Sequence, residues 1–283
     1  MTGGPDTPRD VFPRVGDVSP IVESISGTVL KDLPNPDGSV PMKPNRVPSD
    51  RKGSSDRADT TRSRGSWAAN VYAIVGPDGA GKTTIARAIM DRLARRGVRT
   101  WIAWMRSPRI VTLGVLGITR LSQLSRTVRM GDHDDVITDL SRHPFLLHLY
   151  AWSVTFDYFL GYLGKVTFPK GLLRRTVFCD RFAWDTLVDL GLISGVDEGF
   201  LQFPQGQILL DLAKRHRSVL VTASREELIR RKPILSLDPR LARRLRLYTW
   251  LAERFGLGQV DSGTTSEAES VSQVSEYLGI GPE

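Results

Sequence analysis

The sequence predicts an α/β protein, a parallel sheet flanked by helices in three layers, behind an N-terminal tail without fixed structure. Three observations carry that expectation. A run of strand character, Val71-Tyr72-Ala73-Ile74-Val75, leads directly into Gly-x-x-x-x-Gly-Lys-Thr at 76–83, and a helical pattern follows; strand, glycine-rich loop and helix in that order form a phosphate-binding P-loop. Apolar strand-like runs then alternate with helical ones, as βαβ units in a parallel sheet do. Finally, the composition changes near residue 67. Residues 1–66 hold nine of the 17 prolines and seven of the 26 glycines, with ten basic residues against nine acidic ones. Such a segment buries too little apolar surface to offset the entropy of ordering it.

The domain organisation is therefore a tail, 1–66, and a P-loop domain, 67–283. Hydrophobic residues make up 40% of the 283, enough for a substantial core. The single cysteine, Cys179, excludes an intramolecular disulfide framework and a Cys-cluster zinc site. The net charge of +8 suits a site for several phosphates, a nucleic acid or an anionic membrane surface. No Lys/Arg run is long or aromatic enough to favour nucleic acid. The beginning of the chain lacks the apolar core of a signal peptide, which makes the cytoplasm the simplest expected location.

Within the P-loop each residue type has its own reason. Gly76, Gly79 and Gly81 allow a tight turn whose N–H groups point inward at phosphate oxygens. Asp78, Ala80 and Thr84 complete the cradle, and the helix that starts here adds its positive end. Lys82 reaches the β- and γ-phosphates of a nucleotide such as ATP, and Thr83 places a hydroxyl on Mg²⁺.

Beyond the loop, Ile85, Ala88, Ile89 and Leu93 mark one helical face, and Gly97 stands where a C-terminal cap belongs. Residues 98–105 read as a second strand, followed by Arg106 and Arg109 at the edge where open α/β sheets bind ligands. Residues 110–124 have a helical rhythm. The acidic stretch after them, around Asp132-His133-Asp134-Asp135, reads as a solvated loop or helix start rather than a metal site. Residues 145–163 have the length of a membrane span, but His148 and Asp157 argue for a long, mostly buried soluble helix instead. Tyr150, Ser153 or Val154, Asp157 and Gly161 share one face of it. A carboxylate among these aromatics needs a partner, so Asp157 is expected to meet an Arg or a ligand.

Residues 176–179 form a short apolar strand that ends at Asp180-Arg181. A carboxylate at that end is the natural second Mg²⁺ group, and Arg181 beside it neutralises charge on a phosphoryl group in transfer. A helix at 208–215 and a strand at 218–222 precede Ser224, an N-cap for a basic segment through Lys232 that can swing Arg onto bound phosphates. A helix at 239–255, a strand at 259–261 and a helix at 266–278 close the chain.

Four stretches together resemble the thymidylate kinase family of nucleoside monophosphate kinases: Gly-Pro-Asp-Gly-Ala-Gly-Lys-Thr-Thr at 76–84, Arg-Ser-Pro at 106–108, Asp-Arg-Phe at 180–182, and the Arg-rich 225–232. Tyr248, Leu251, Ala252, Phe255 and Gly256, then Val260-Asp261, extend the likeness. The resemblance implies transfer of the ATP γ-phosphate to a nucleotide, with Mg²⁺ as cofactor and a homodimer as a possible assembly. It assigns Lys82 and Thr83 to ATP and Mg²⁺, Arg181 to the phosphates, and Arg230 or Arg231 to a lid. Asp78 faces the acceptor's sugar hydroxyl, and Arg106 or Arg109 its phosphate. Where the family reads thymine with an Arg, alignment on Leu146-Leu147 puts Trp152, and no Arg occurs over 145–164. Tyr150, Trp152 and Asp157 are thus the acceptor-side candidates, and the acceptor need not be thymidylate. A kinase for another small molecule and a non-kinase ATP-dependent switch share the same P-loop and stand as alternatives.

Overall fold

A computed structural model describes residues 70–105, 110–121, 125–130, 133–138 and 140–281. The expectations for the tail and for Arg106 and Arg109 lie outside the described residues. Five parallel strands form the central sheet: β1 (Val71–Val75), β2 (Thr100–Trp104), β5 (Thr176–Asp180), β6 (Arg217–Thr222) and β7 (Gly258–Asp261). Their order is β2-β5-β1-β6-β7. β1 and β5 are buried along their whole length, as a strand covered by helices on both faces must be. Helices lie on both faces, which gives the three-layer α/β fold expected of a P-loop protein.

One layer holds α1 (Lys82–Arg95) and α9 (Glu267–Leu278), with Ile85, Ile89, Leu93, Val271 and Val274 packed on Ile74 and Val219 of the sheet. The other is built from α3 (Pro144–Tyr162), α5 (Ala183–Ser194), α6 (Pro204–Lys214) and α8 (Leu241–Phe255). A π-helical turn, Leu163–Thr167, joins α3 to the short α4 (Phe168–Gly171). The capping signal at Ser224 acts as read: it accepts from the Glu227 N–H at 3.2 Å to start α7 (Arg225–Arg231). Ser266, not singled out in the sequence, likewise accepts from the Glu269 N–H at 3.3 Å to start α9.

Two expectations need correction. The stretch read as a loop or helix start is a hairpin, β3 (Ser125–Met130) paired antiparallel with β4 (His133–Thr138). Its β-branched residues, Thr127-Val128 and Val136-Ile137-Thr138, carry the strand preference that its acidity obscured. α3 is also not mostly buried. Leu147, Ala151, Val154 and Tyr158 enter the core, while Phe145, Leu149, Trp152 and Phe156 are exposed. The helix packs on α2 (Ile110–Leu121) and α6 from one side only, so an almost continuously apolar sequence acquires an outer face.

Candidate phosphate-binding site

The carboxyl ends of β1 and β5 lie side by side, with Ile74 opposite Asp180 in the register, and that pairing creates the site. β1 runs into Gly76, whose φ of +138° suits only glycine, and a Cβ there would come within 2.0 Å of the Val221 carbonyl oxygen. At the other end of the loop, Gly81 adopts φ +85° as the N-cap of α1. The chain thus turns from strand to helix in six residues and presents Lys82 and Thr83 at the helix start.

Thr83 and Asp180 are 97 residues apart in sequence, yet the Thr83 hydroxyl donates to Asp180 Oδ2. The pair supplies only oxygen donors and opens on a cavity of about 710 Å³. That donor set fits Mg²⁺, which takes one or two protein ligands and fills its octahedron with water and phosphate oxygens. No cluster of three or more metal-binding side chains occurs among the described residues, and Mg²⁺ held this way needs none. Lys82 is 6% exposed, and its Nζ donates to the Pro77 carbonyl at 2.7 Å. Burial pulls this ammonium below the usual lysine range, while Asp185, Asp78 and Asp180 act in the opposite direction.

Arg181 follows Asp180 with φ +66°, a left-handed conformation rare for a side chain of this size. Its guanidinium binds Asp78 Oδ1, and Lys232 at the end of α7 holds Asp78 Oδ2 at 2.9 Å. Burial raises the Asp78 carboxyl, but Arg181 and Lys232 outweigh it and hold the group well below the ordinary carboxylate range. Asp78, Gly79, Gly81, Lys82 and Thr83 line the cavity, as do Thr84, Asp180 and Arg181. Gly76 and Ala80 are buried beneath it.

The two lid candidates separate. Arg231 lines the cavity, where it donates to Ser262 Oγ at 2.9 Å and to the Gly79 carbonyl at 3.3 Å. Arg230 is 74% exposed and makes a two-pronged pair with Glu227, outside the cavity wall.

The acceptor-side candidates fare differently. Trp152 is 47% exposed and Tyr150 partly buried, and neither lines the cavity. Asp157 is fully buried, and both its oxygens are engaged: Oδ1 accepts from the Val111 N–H at 3.0 Å, and Oδ2 from Thr112 at 2.9 Å. The partner expected as an Arg or a ligand is the N-terminus of α2, where free N–H groups and the helix dipole both favour a carboxylate.

Among the residues of the site that were not anticipated, Trp104, Lys232, Asp185 and Tyr248 matter most to its geometry. Trp104 ends β2 opposite Asp180 and stands 55% exposed in the cavity wall. Its exposure was not legible, because a strand-ending aromatic usually packs into a core. Lys232 lay within the basic segment without being singled out. Asp185 accepts from the Gly76 N–H at 3.2 Å and from Tyr248 OH at 2.6 Å. The signal for Asp185 was a carboxylate three residues into a helix after an Asp-Arg-Phe turn, where acids bond back to the chain before them. Tyr248 looks like one more apolar position of α8, and its hydroxyl gives no periodic signal.

No family model and no curated protein matches this chain. Among solved structures, a thymidylate kinase from Ehrlichia chaffeensis is similar at 14% identity, over 75% of this chain and 99% of that one, with a TM-score of 0.43.

Proposed function

We propose that this protein is an ATP-dependent, Mg²⁺-assisted kinase that phosphorylates a nucleoside monophosphate. The observation that supports it is the convergence of Lys82, Thr83, Asp180 and Arg181, from two distant segments, on one cavity. In phosphoryl transfer the protein does little covalent chemistry. It aligns donor and acceptor and stabilises charge. The loop amides and Lys82 would hold the β- and γ-phosphates, with Thr83 and Asp180 as the protein ligands of Mg²⁺. Mg²⁺ chemistry at that pair would supply neutralisation of phosphate charge. Arg181 and Arg231 would balance the transferring group from two sides of the cavity. Asp78, held between Arg181 and Lys232, would accept from a hydroxyl of the acceptor, and Arg106 or Arg109 would take its phosphate.

The exposed indole of Trp104 in the cavity wall supports a nucleoside over a small aliphatic acceptor, because a base can stack on an indole. Stacking on such a face contributes about 1–3 kcal/mol per base with little choice among bases. Together with the lack of an Arg on α3, this predicts less than about a hundredfold preference for thymidylate, or some 2.7 kcal/mol at the transition state.

The test is ADP formation from MgATP by the full chain against thymidine, uridine, cytidine and guanosine monophosphates. Acceptor-dependent ADP is the expected result. Hydrolysis at the same rate with and without every acceptor would replace the kinase by an ATP-dependent switch. A preference for thymidylate above a hundredfold would restore a dedicated thymidylate kinase.

A further inference from the structure

Asp185 is 3% exposed, yet its carboxylate accepts three hydrogen bonds, each from a different part of the fold. Oδ1 takes the Gly76 N–H at 3.2 Å and the Tyr248 hydroxyl at 2.6 Å, and Oδ2 takes the Phe182 N–H at 2.7 Å. Two of these donors set the phosphate site. Gly76 begins the P-loop, in a conformation closed to any side chain. Phe182 directly follows Arg181, whose left-handed backbone is pinned from the other side by its own N–H donating to the Ile74 carbonyl at 3.3 Å. The third donor comes from α8, in the helical layer that packs on α5.

A carboxylate buried only to hold a helix start would need its own N-terminal amides and nothing more. This one bridges the two loops between which a phosphate chain would lie, and Lys82 and Arg181 act on it electrostatically from the cavity side. Burial raises the Asp185 carboxyl, while Lys82, Arg181, Tyr248 and the Phe182 amide favour its ionised form.

We propose that Asp185 and Tyr248 form a positioning pair for phosphoryl transfer: the carboxylate fixes the spacing between the first P-loop amide and Arg181, and the tyrosine hydroxyl fixes the carboxylate. Neither group lines the cavity, so both act through Gly76 and Arg181. The proposal rests on the reading of the cavity as a nucleotide phosphate site, and it adds a device beneath that site that no motif marks. Because catalytic groups lose efficiency when displaced by an ångström or less, loss of the strut should appear in kcat and in nucleotide affinity. The acceptor KM should stay nearly constant.

The test compares Tyr248→Phe, Asp185→Asn and the double variant with the wild-type chain, reading the Mg-ADP Kd by calorimetry, kcat, acceptor KM and Tm. Tyr248→Phe removes one hydroxyl from a site it otherwise fills, and it should lower kcat about fivefold while leaving acceptor KM within twofold. Asp185→Asn should lower kcat roughly ten- to a hundredfold and weaken Mg-ADP, since the amide leaves at least one donor facing another donor. The double variant should be no worse than Asp185→Asn, because the hydroxyl acts only through the carboxylate. Unchanged kcat and Mg-ADP affinity in Tyr248→Phe, or losses that multiply in the double variant, would overturn the pairing. If Asp185→Asn does not fold, Tyr248→Phe alone decides. Should the wild type bind Mg-ADP without turning over any acceptor, the kinase reading fails and the affinities still decide the strut. A wild type that binds no Mg-ADP sinks both.

Discussion

α1 and α3 are both helices whose sequences seemed to announce a role, and only α1 places its residues on the cavity that such a role needs. α1 begins at Lys82, with Thr83 on Asp180 and the glycines of the loop in the conformations their positions demand. α3 carries the aromatic stretch expected to hold an acceptor ring, yet Trp152 and Phe156 face outward and Asp157 serves a neighbouring helix. The difference lies in what each signal encodes. A P-loop is a local device: spacing, glycine conformation and helix start fix the geometry within a few residues. An apolar helix encodes only that some face will be buried. Which face, and against what, depends on elements elsewhere in the chain.

The comparison breaks most decisively at Lys82. Lys82→Ala should lower kcat by roughly a thousandfold or more for every acceptor, since one preorganised cation on the transferring charge is worth that much in related chemistry. The fold should persist, because among the described residues the Nζ donates one hydrogen bond, to the Pro77 carbonyl. Turnover measured beside far-UV dichroism checks this, and ATP turnover within tenfold of wild type would remove the P-loop from the mechanism.

How far the sequence reached follows the same division. The five parallel strands and the P-loop were readable because apolar runs and fixed spacings are one-dimensional signals, and Asp180 was found because it ends such a run. Asp157 was noticed for its burial, but its true partners, Val111 and Thr112, lie 46 and 45 residues away. Asp185 went unread, along with the whole of α5. A capping carboxylate is common, and its link to Gly76 spans 109 residues. Hydroxyls such as that of Tyr248 leave no periodic trace at all.

Asp157 supplies the next largest effect, on stability alone. Removing a fully buried cap strands two amide donors, which together with the loss of the cap costs about 2–4 kcal/mol. Asp157→Ala should therefore unfold at lower urea, with kcat and acceptor KM within about twofold of wild type in the folded fraction. A tenfold change in acceptor KM would return this carboxylate to the ligand role that the sequence suggested.

A smaller effect belongs to the C-terminal end of the same helix. Tyr162 OH and His216 Nε2 are 2.7 Å apart. Burial first, then Lys170 and Arg215, push the imidazole down to about 4 from 6.5. The folded state therefore resists a proton that the unfolded chain accepts. The associated stability is complete above pH 6.5 and is lost as the pH falls from 6.5 towards 4. Partial exposure to solvent discounts the nominal value to about 1–2 kcal/mol. Urea unfolding at pH 7 and pH 4.5 reads it. His216→Gln should flatten the difference, and an equally steep loss in that variant would place the acid sensitivity elsewhere.

The smallest expected effect separates the two tryptophans. Trp152 and Trp104 are similarly exposed, at 47% and 55%, so neither is held by the core. Only Trp104 stands in the wall shared by Thr83, Asp180 and Arg181. A base stacked on Trp104 would lose roughly 1–3 kcal/mol of contact when the ring is removed, which predicts about a tenfold higher acceptor KM for Trp104→Ala. Trp152→Ala removes an outward ring with little burial to lose, and surface changes of that kind stay within about 0.5 kcal/mol. Its acceptor KM should therefore move by less than twofold, with Tm nearly unchanged. The two variants measured together with one acceptor leave little room for a global explanation, because each controls for loss of an exposed indole. If the order were reversed, with Trp152→Ala weakening the acceptor and Trp104→Ala silent, the acceptor would sit against the outer face of α3, and the cavity at the end of β2 would belong to the donor alone.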